Sequence, residues 1–350
     1  MNRLPSAAWA LPRNDVGAIA GIAPGQGREL AWPAPVPSPG FRFTKGSPRV
    51  AIVSNPRSRR NQTAELSTRV APGMLAAAPT TPRQLADTLA SFAAQRIDLL
   101  VIDGGDGTVR DVLTAAGEAF GDALPPLAVL PSGKTNALAF DLGIPLEWSP
   151  ADAQEALAAG KVQTRPPIEI VQEDGTMLRG FLFGAGGFVR ATELAQHAHR
   201  LGAFGNLAVG LSVAGALAQS LVGGKANPWR AGERVGVVNL VTGETSERDL
   251  YLLFGSTLER LPLGLRPLGR TAPGLDILAI DAPPRLLPIA APAILAGLEG
   301  EWLQRLGYHH CHATPAFAVS LKNGFILDGE LFAGGNLSVR TGAPIRFVTP

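Results

Sequence analysis

The chain has 350 residues, 46% of them hydrophobic and 17% charged, with a formal net charge of +2. That length exceeds one small core and fits two domains, at roughly 100–200 residues each, and the apolar content excludes a chain disordered throughout. So small a net charge gives no ground for nucleic-acid binding. The single cysteine, Cys311, excludes an internal disulfide framework and fits a reducing, cytoplasmic compartment.

Residues 1–47 are rich in Pro and Gly and show little periodicity, so they read as an extension, partly disordered. An apolar stretch near their start is broken by Pro5 and Pro12 and makes no convincing export signal. Order is expected from residue 48. Val50-Ala51-Ile52-Val53 reads as a buried strand that ends at Ser54-Asn55-Pro56. A helix then starts at Thr81, with Pro82 at its first position and Gln84 completing a capping box. Leu85, Leu89 and Phe92 recur on one face of it. Leu99-Leu100-Val101-Ile102 is a second strand, followed by Asp103-Gly104-Gly105-Asp106-Gly107-Thr108 and a second helical spacing at Val109, Val112, Leu113 and Ala116. Leu127 to Leu130 is a third strand, Pro131 to Asn136 a loop, and Ala137 to Leu142 a short helix stopped by Gly143 and Pro145.

Strand and helix in alternation predict a parallel sheet covered on both faces. The loops at 55–60, 103–108 and 131–136 all follow strand carboxyl ends, the edge where such sheets bind ligands. From about residue 165 the pattern changes to hairpins, around Asp174-Gly175, Thr242-Gly243 and Asn323-Gly324, with helix expected only near 190–222 and 289–306. The run Leu207 to Val222 is shorter than the ~20 residues of a membrane span and reads as a buried helix. The expected fold is α/β with two domains. The first is a Rossmann-like three-layer domain at 48–164, which strands in 336–350 rejoin. The second is an antiparallel β-rich domain at 165–335.

The chemistry concentrates in the loops. Gly104, Gly105 and Gly107, at the start of a helix, leave room for backbone N–H groups to meet phosphate oxygens. Asp106 inside that loop would repel phosphates unless a divalent cation lies between, which points to Mg²⁺ and makes Asp106 the metal-side carboxylate. Gly133-Lys134-Thr135 imitates the end of a P-loop, but Ala128 stands where the pattern needs its first Gly. His309, His310, Cys311 and His312 are adjacent and lack a second cluster at zinc spacing, so they read as structural. His197 and His199 read as solvated, and Arg57, Arg59 and Arg60 as a loop able to meet phosphates. Asp328 and Glu330 alternate, which would put both on one side of a strand.

Five motifs together resemble the diacylglycerol kinase, sphingosine kinase and ceramide kinase superfamily. They are Asn55-Pro56-Arg57-Ser58, Gly104 through Thr108, Leu130-Pro131-Ser132-Gly133 with Asn136, Leu142-Gly143-Ile144-Pro145, and Asp328-Gly329-Glu330. The resemblance implies transfer of the γ-phosphoryl of ATP, with Mg²⁺, to the hydroxyl of a lipid: diacylglycerol, ceramide or a sphingoid base. It implies nucleotide contacts at Asn55, Thr80, Gly104, Gly105, Asp106, Gly107, Thr108, Val109, Arg110, Ser132, Gly133, Lys134 and Asn136. It implies catalytic carboxylates at Glu330, Asp328 and Asp106, with the proton acceptor either Glu330 or Asp106. A lipid substrate implies peripheral contact with the inner face of the membrane. The pattern departs at Arg59, Asp111, Lys134, Ala137, Val189 and Pro273-Gly274, where only Asp276 remains of an acidic pair; the last loss speaks against a structural Mg²⁺ site. The rival readings are a soluble-substrate kinase of the NAD kinase type, which shares the Gly-Gly-Asp-Gly-Thr loop, and a nucleotide-binding regulator without catalysis.

Overall fold

A computed structural model describes residues 48–58, 60–61, 73–187, 189, 232–270 and 273–350. The expected extension at 1–47, the helix near 190–222, the apolar run at 207–222, His197, His199 and Arg59 lie outside the described residues.

Among the described residues the first sheet has six strands: β1 (Val50–Ser54), β2 (Leu75–Ala77), β3 (Leu99–Gly104), β4 (Leu127–Pro131), β5 (Val162–Arg165) and β17 (Ile345–Val348). Their order is β2-β1-β3-β4-β17-β5, parallel except for β5, which runs antiparallel to β17. Its central strands β1, β3 and β4 are buried at every position because both faces are covered. Ala51, Val53, Leu100, Ile102 and Phe347 meet the helices α1 (Pro82–Ala94), α2 (Asp106–Phe120) and α3 (Ala137–Asp141). The alternate residues Val50, Ile52, Leu99, Val101 and Val348 meet α4 (Pro150–Ala158). At α1 the Thr81 side chain accepts from Gln84 N and Pro82 opens the helix as expected, but the capping box does not close, because Gln84 Oε1 accepts from Thr80 N and not from Thr81 N. The reserved strands behave differently from one another. Only β17 joins the first sheet; β16 (Gly335–Thr341) pairs with β13 (Phe317–Leu321) and β6 (Ile168–Gln172) in the second.

Among the described residues that second sheet is antiparallel in every pairing and has eleven strands. The expected hairpins form at two turns. Strand β6 pairs with β7 (Met177–Gly180) across Asp174-Gly175, and β9 (Glu233–Asn239) with β10 (Thr245–Ser256) across Thr242-Gly243. At Asn323-Gly324 no hairpin forms. Strand β13 continues into β14 (Phe325–Leu327), which pairs instead with β8 (Leu182–Gly186) and β15 (Glu330–Phe332). Glu233 Oε1, a buried carboxylate, accepts from Lys322 N (2.5 Å), the N–H that a two-residue turn at Asn323-Gly324 would give to Phe325 O, and also from Asn323 N (2.8 Å). The helix expected near 289–306 is two helices, α5 (Leu287–Leu295) and α6 (Glu301–Arg305), parted by Gly297 and Gly300 at positive φ.

The two sheets are locked together by buried polar contacts. Asp141, fully buried at the end of α3, accepts from Arg165 Nε (2.6 Å) and from the N–H groups of Glu259 and Arg260, which follow β10.

Candidate active site

Strand register brings the loops together. Ser54 pairs with Asp103 and Gly104 with Pro131, so the chain leaves β1, β3 and β4 at adjacent points of one edge. A buried knot holds these exits. Asp103 accepts from Ser54 Oγ (2.9 Å) and Ser132 Oγ (2.5 Å), and Ser132 N donates to Gly104 O (3.1 Å). Asn61, which the sequence reading did not single out, donates from Nδ2 to Ser54 Oγ, Asn55 O and Asp103 O. Asn55 Nδ2 in turn donates to Thr108 Oγ1 (2.9 Å), tying the β1 loop to the first turn of α2. Arg57 N closes back on Asn55 Oδ1 (2.9 Å).

The glycines serve packing first. A Cβ at Gly105 would lie 2.8 Å from Gly133 Cα, so the β3 and β4 loops cross backbone to backbone. At Gly104 it would strike the Thr108 side chain, and at Gly107 it would lie 3.3 Å from Glu330 Oε1. A bulky residue at Gly105 would therefore push the loops apart, not merely fill a ligand's space. Asn136 sits in the left-handed region (φ 52°), and its Oδ1 accepts from Gly133 N (2.8 Å). The first N–H groups of α2, at Asp106 and Gly107, have no intrahelical acceptor and carry the positive end of its dipole.

Facing this edge is the β14–β15 hairpin. Asp328 (φ 48°) and Gly329 (φ 83°) form its two-residue turn, with Leu327 paired to Glu330. Asp328 and Glu330 therefore do not share a strand face: Asp328 is buried in the turn, and Glu330 is exposed at the start of β15. The Asp328 carboxylate accepts from Phe181 N (3.0 Å) and Leu182 N (2.9 Å). Burial, together with the nearby charge of Asp106, pushes it up to about 7 in spite of those two N–H groups. Burial also raises Asp106, against the N–H groups at the start of α3; Leu138 N lies 3.3 Å from its Oδ1.

Arg110 joins the two sides. Its guanidinium is buried and lies 5.1 Å from the Phe332 ring centroid. It donates to Glu330 Oε2 (2.9 Å), Leu327 O (3.2 Å) and Asp111 Oδ1 (2.7 Å). Burial pulls its pKa down, but Asp111 and Glu330 outweigh that and hold it above its ordinary value. Expected contacts thus divide by position. Asn55, Gly104 to Thr108, Ser132, Gly133, Asn136, Asp328 and Glu330 converge on the cleft. The side chain of Val109 points into the core and its N–H donates to Gly105 O. Arg110 is spent on the hairpin. Thr80 lies after β2, its hydroxyl donating to Gln84 Oε1 (2.9 Å). Lys134 is exposed beside Gly133.

The histidine run lies elsewhere, on and just after β12 (Tyr308–Cys311). His309 pairs with Asp281 (2.9 Å), His310 with Pro267 O, and His312 with Asp276 and Glu299. Among the described residues no group of three or more His, Cys, Asp or Glu side chains is placed to hold a metal ion. No described helix is long and apolar enough to cross a membrane.

Residues 49–169 match the family described as diacylglycerol kinase catalytic domain. The "Probable lipid kinase YegS-like" of Pseudomonas aeruginosa is 40% identical over 88 residues, 25% of this chain and 26% of that protein. Its namesake in Stenotrophomonas maltophilia is 38% identical over 96 residues, 26% of this chain and 29% of that one. The chain thus spans between a quarter and a third of the length of the curated relatives it matches. A solved Bacillus anthracis structure assigned to the diacylglycerol kinases superposes with a TM-score of 0.63 at 16% identity, over 88% of this chain and 99% of that one. A second gives 0.57 at 15%, over 88% and 98%. At those identities the structural likeness is one of fold, with a parallel first sheet and an antiparallel second one. Residues 49–169 are thus similar to the diacylglycerol kinase catalytic domain, and the two-sheet fold is shared with solved structures described as diacylglycerol kinases.

Proposed function

We propose that the chain is an ATP-dependent kinase that phosphorylates a lipid hydroxyl, with ATP held at the carboxyl edge of the first sheet. The observation that carries this reading is the approach of Glu330 Oε1 to Gly107, 3.3 Å from where a Cβ there would stand. It sets a carboxylate on the second sheet over the helix start where phosphates would bind. The N–H groups at Asp106 and Gly107 would take phosphate oxygens, and Lys134 would add a charge contact.

Arg110 holds Glu330 by Oε2 and leaves Oε1 toward the cleft, so Arg110 is a positioning residue. In the proposed reaction Glu330 Oε1 accepts the proton of the lipid hydroxyl. That oxygen bonds to the γ-phosphorus, the bond from the γ-phosphorus to the β–γ bridging oxygen breaks, and ADP leaves with the electron pair. Asp106 and Asp328 suit Mg²⁺: they are two buried carboxylates whose charges repel, and Mg²⁺ takes one or two carboxylates with substrate phosphates. Bound there, the ion would neutralise phosphate charge. The lipid's chains would lie against apolar walls of the second, β-rich domain. The test is transfer of label from γ-labelled ATP to diacylglycerol, ceramide and a sphingoid base, by wild type and Glu330→Gln. The variant should retain ATP affinity and lose about 10²–10⁴ in kcat, the range of general acid–base catalysis. Lipid turnover near the wild-type rate would remove Glu330 from the reaction.

A further inference from the structure

From Leu286 to Leu298 the chain has thirteen consecutive residues without a polar side chain. Helix α5 lies within them. Leu287, Ala290 and Ile294 face inward and pack with Leu278, Ile280 and Tyr308. A surface helix ordinarily carries charges on its opposite face. Here Pro288, Ile289, Pro292 and Ala296 occupy it, at helical spacing, and all are exposed. Ile289 is 62% exposed and Leu286, at the N-cap, 57%; past the helix, Leu298 is 54% and Trp302 42%. The apolar surface continues beyond the hairpin. Arg266 N donates to Leu295 O, so the segment carrying Leu263 (75% exposed) abuts the end of α5 and also packs on α3.

The charges around this face are one-sided. Arg266, Arg270 and Arg285 are exposed, and among the described residues none takes part in an ion pair. The nearby carboxylates are engaged: Glu299 by His312 and Arg270 N, Glu301 by Arg305, and Asp281 by Arg248 and His309. The face is therefore apolar with uncompensated positive charge at its rim. A second copy docked on it by a two-fold axis would bring arginines against arginines. Helix α5, with nine residues, is far too short to span a bilayer, but an apolar face edged by arginine and carrying an exposed Trp suits the headgroup boundary.

We propose that the α5–α6 hairpin is a docking surface for a bilayer of anionic phospholipid, into which Leu286, Ile289, Leu298 and Trp302 insert while Arg266, Arg270 and Arg285 meet headgroup phosphates. The inference stands on this surface and not on the kinase reading. The experiment is flotation of the full chain with phosphatidylcholine vesicles, with and without about one-third phosphatidylglycerol, read against salt. Wild type should float with the anionic vesicles only and release as salt rises. Substituting Gln for each of the three arginines should weaken binding about fivefold per residue, as expected for a basic residue near an anionic surface. Ile289→Asp with Leu298→Asp should weaken it more than tenfold, with the melting temperature kept because both positions are exposed. Equal flotation of wild type and both variant sets, or equal binding to neutral vesicles, would overturn the proposal. So would a wild-type dimer that Ile289→Asp dissolves. Turnover of detergent-dispersed lipid by Ile289→Asp separates this outcome from any failure of the kinase reading.

Discussion

The two buried carboxylates are the most consequential residues of the cleft, and only one of them has a titration that can be followed simply. Asp328 is raised from 3.8 to about 7 by burial and by Asp106. Between those values the folded chain holds a proton that the unfolded chain has released, so stability falls as pH rises through the window. From pH 5.5 to pH 8 the loss due to this group should be about 2 kcal/mol. Urea unfolding of wild type and Asp328→Asn at both pH values checks it: the variant should lack that part of the slope. Equal slopes would show that Asp328 is ionised throughout. Mg²⁺ with ATP should also flatten the wild-type slope, because a cation between the carboxylates favours the charged form. The Asp-Gly-Glu motif was legible in the sequence, but its geometry was not. Alternation along a strand assumes an extended backbone, and Asp328 at φ 48° instead turns inward. Asn61 was missed for a related reason. Its three acceptors come from two strand ends, and no spacing in the chain announces them.

At the scale of elements, periodicity and turn chemistry read well where local forces decide. Helices α1 and α2 and strands β1, β3 and β4 follow from apolar spacing, capping and Gly-rich breaks, whereas β2 carried no such signal. Reading failed where a distant group intervened, as when Glu233 took the N–H groups of Lys322 and Asn323 and the hairpin moved to Asp328-Gly329. Helix α3 shows the same dependence. It has five residues, too few to stand alone, and its last residue, Asp141, receives Arg165 from β5 and two N–H groups that follow β10. Removing one partner of such a buried pair leaves the other charge unpaired, at a cost of about 3–5 kcal/mol. Asp141→Ala should therefore lower unfolding stability by that order, and Asp141→Asn by less, since an amide oxygen still accepts the two N–H groups. Both are read by denaturant midpoint. Unchanged stability in Asp141→Ala would mean that the two sheets do not depend on this joint.

The whole molecule is not two beads in sequence, because its first sheet is finished by the end of the chain. Strand β17 lies between β4 and β5, and its Phe347 is fully buried among residues of the first domain, in edge contact with Phe181. The final strand had no local mark of that destination: Ile345 to Val348 and Leu337 to Arg340 look alike in sequence, and only the second sheet's need for a partner of β6 separates them. A fragment of residues 48–166 would expose the flank of β4 and leave β5 without its neighbour, so it should not unfold cooperatively. The register supplies the remedy. Ile345 pairs with Arg165 in an antiparallel ladder, so a two-residue Asn-Gly link from Arg165 to Ile345 closes a hairpin without moving either strand. The linked chain of 48–165 and 345–350 should show a single thermal transition, while 48–166 alone shows none. A cooperative transition in the unlinked fragment would mean that β17 adds nothing the first domain needs. Failure of both would place the deficit at the contacts with the second sheet, at Phe181 and Leu258, which complete the same core.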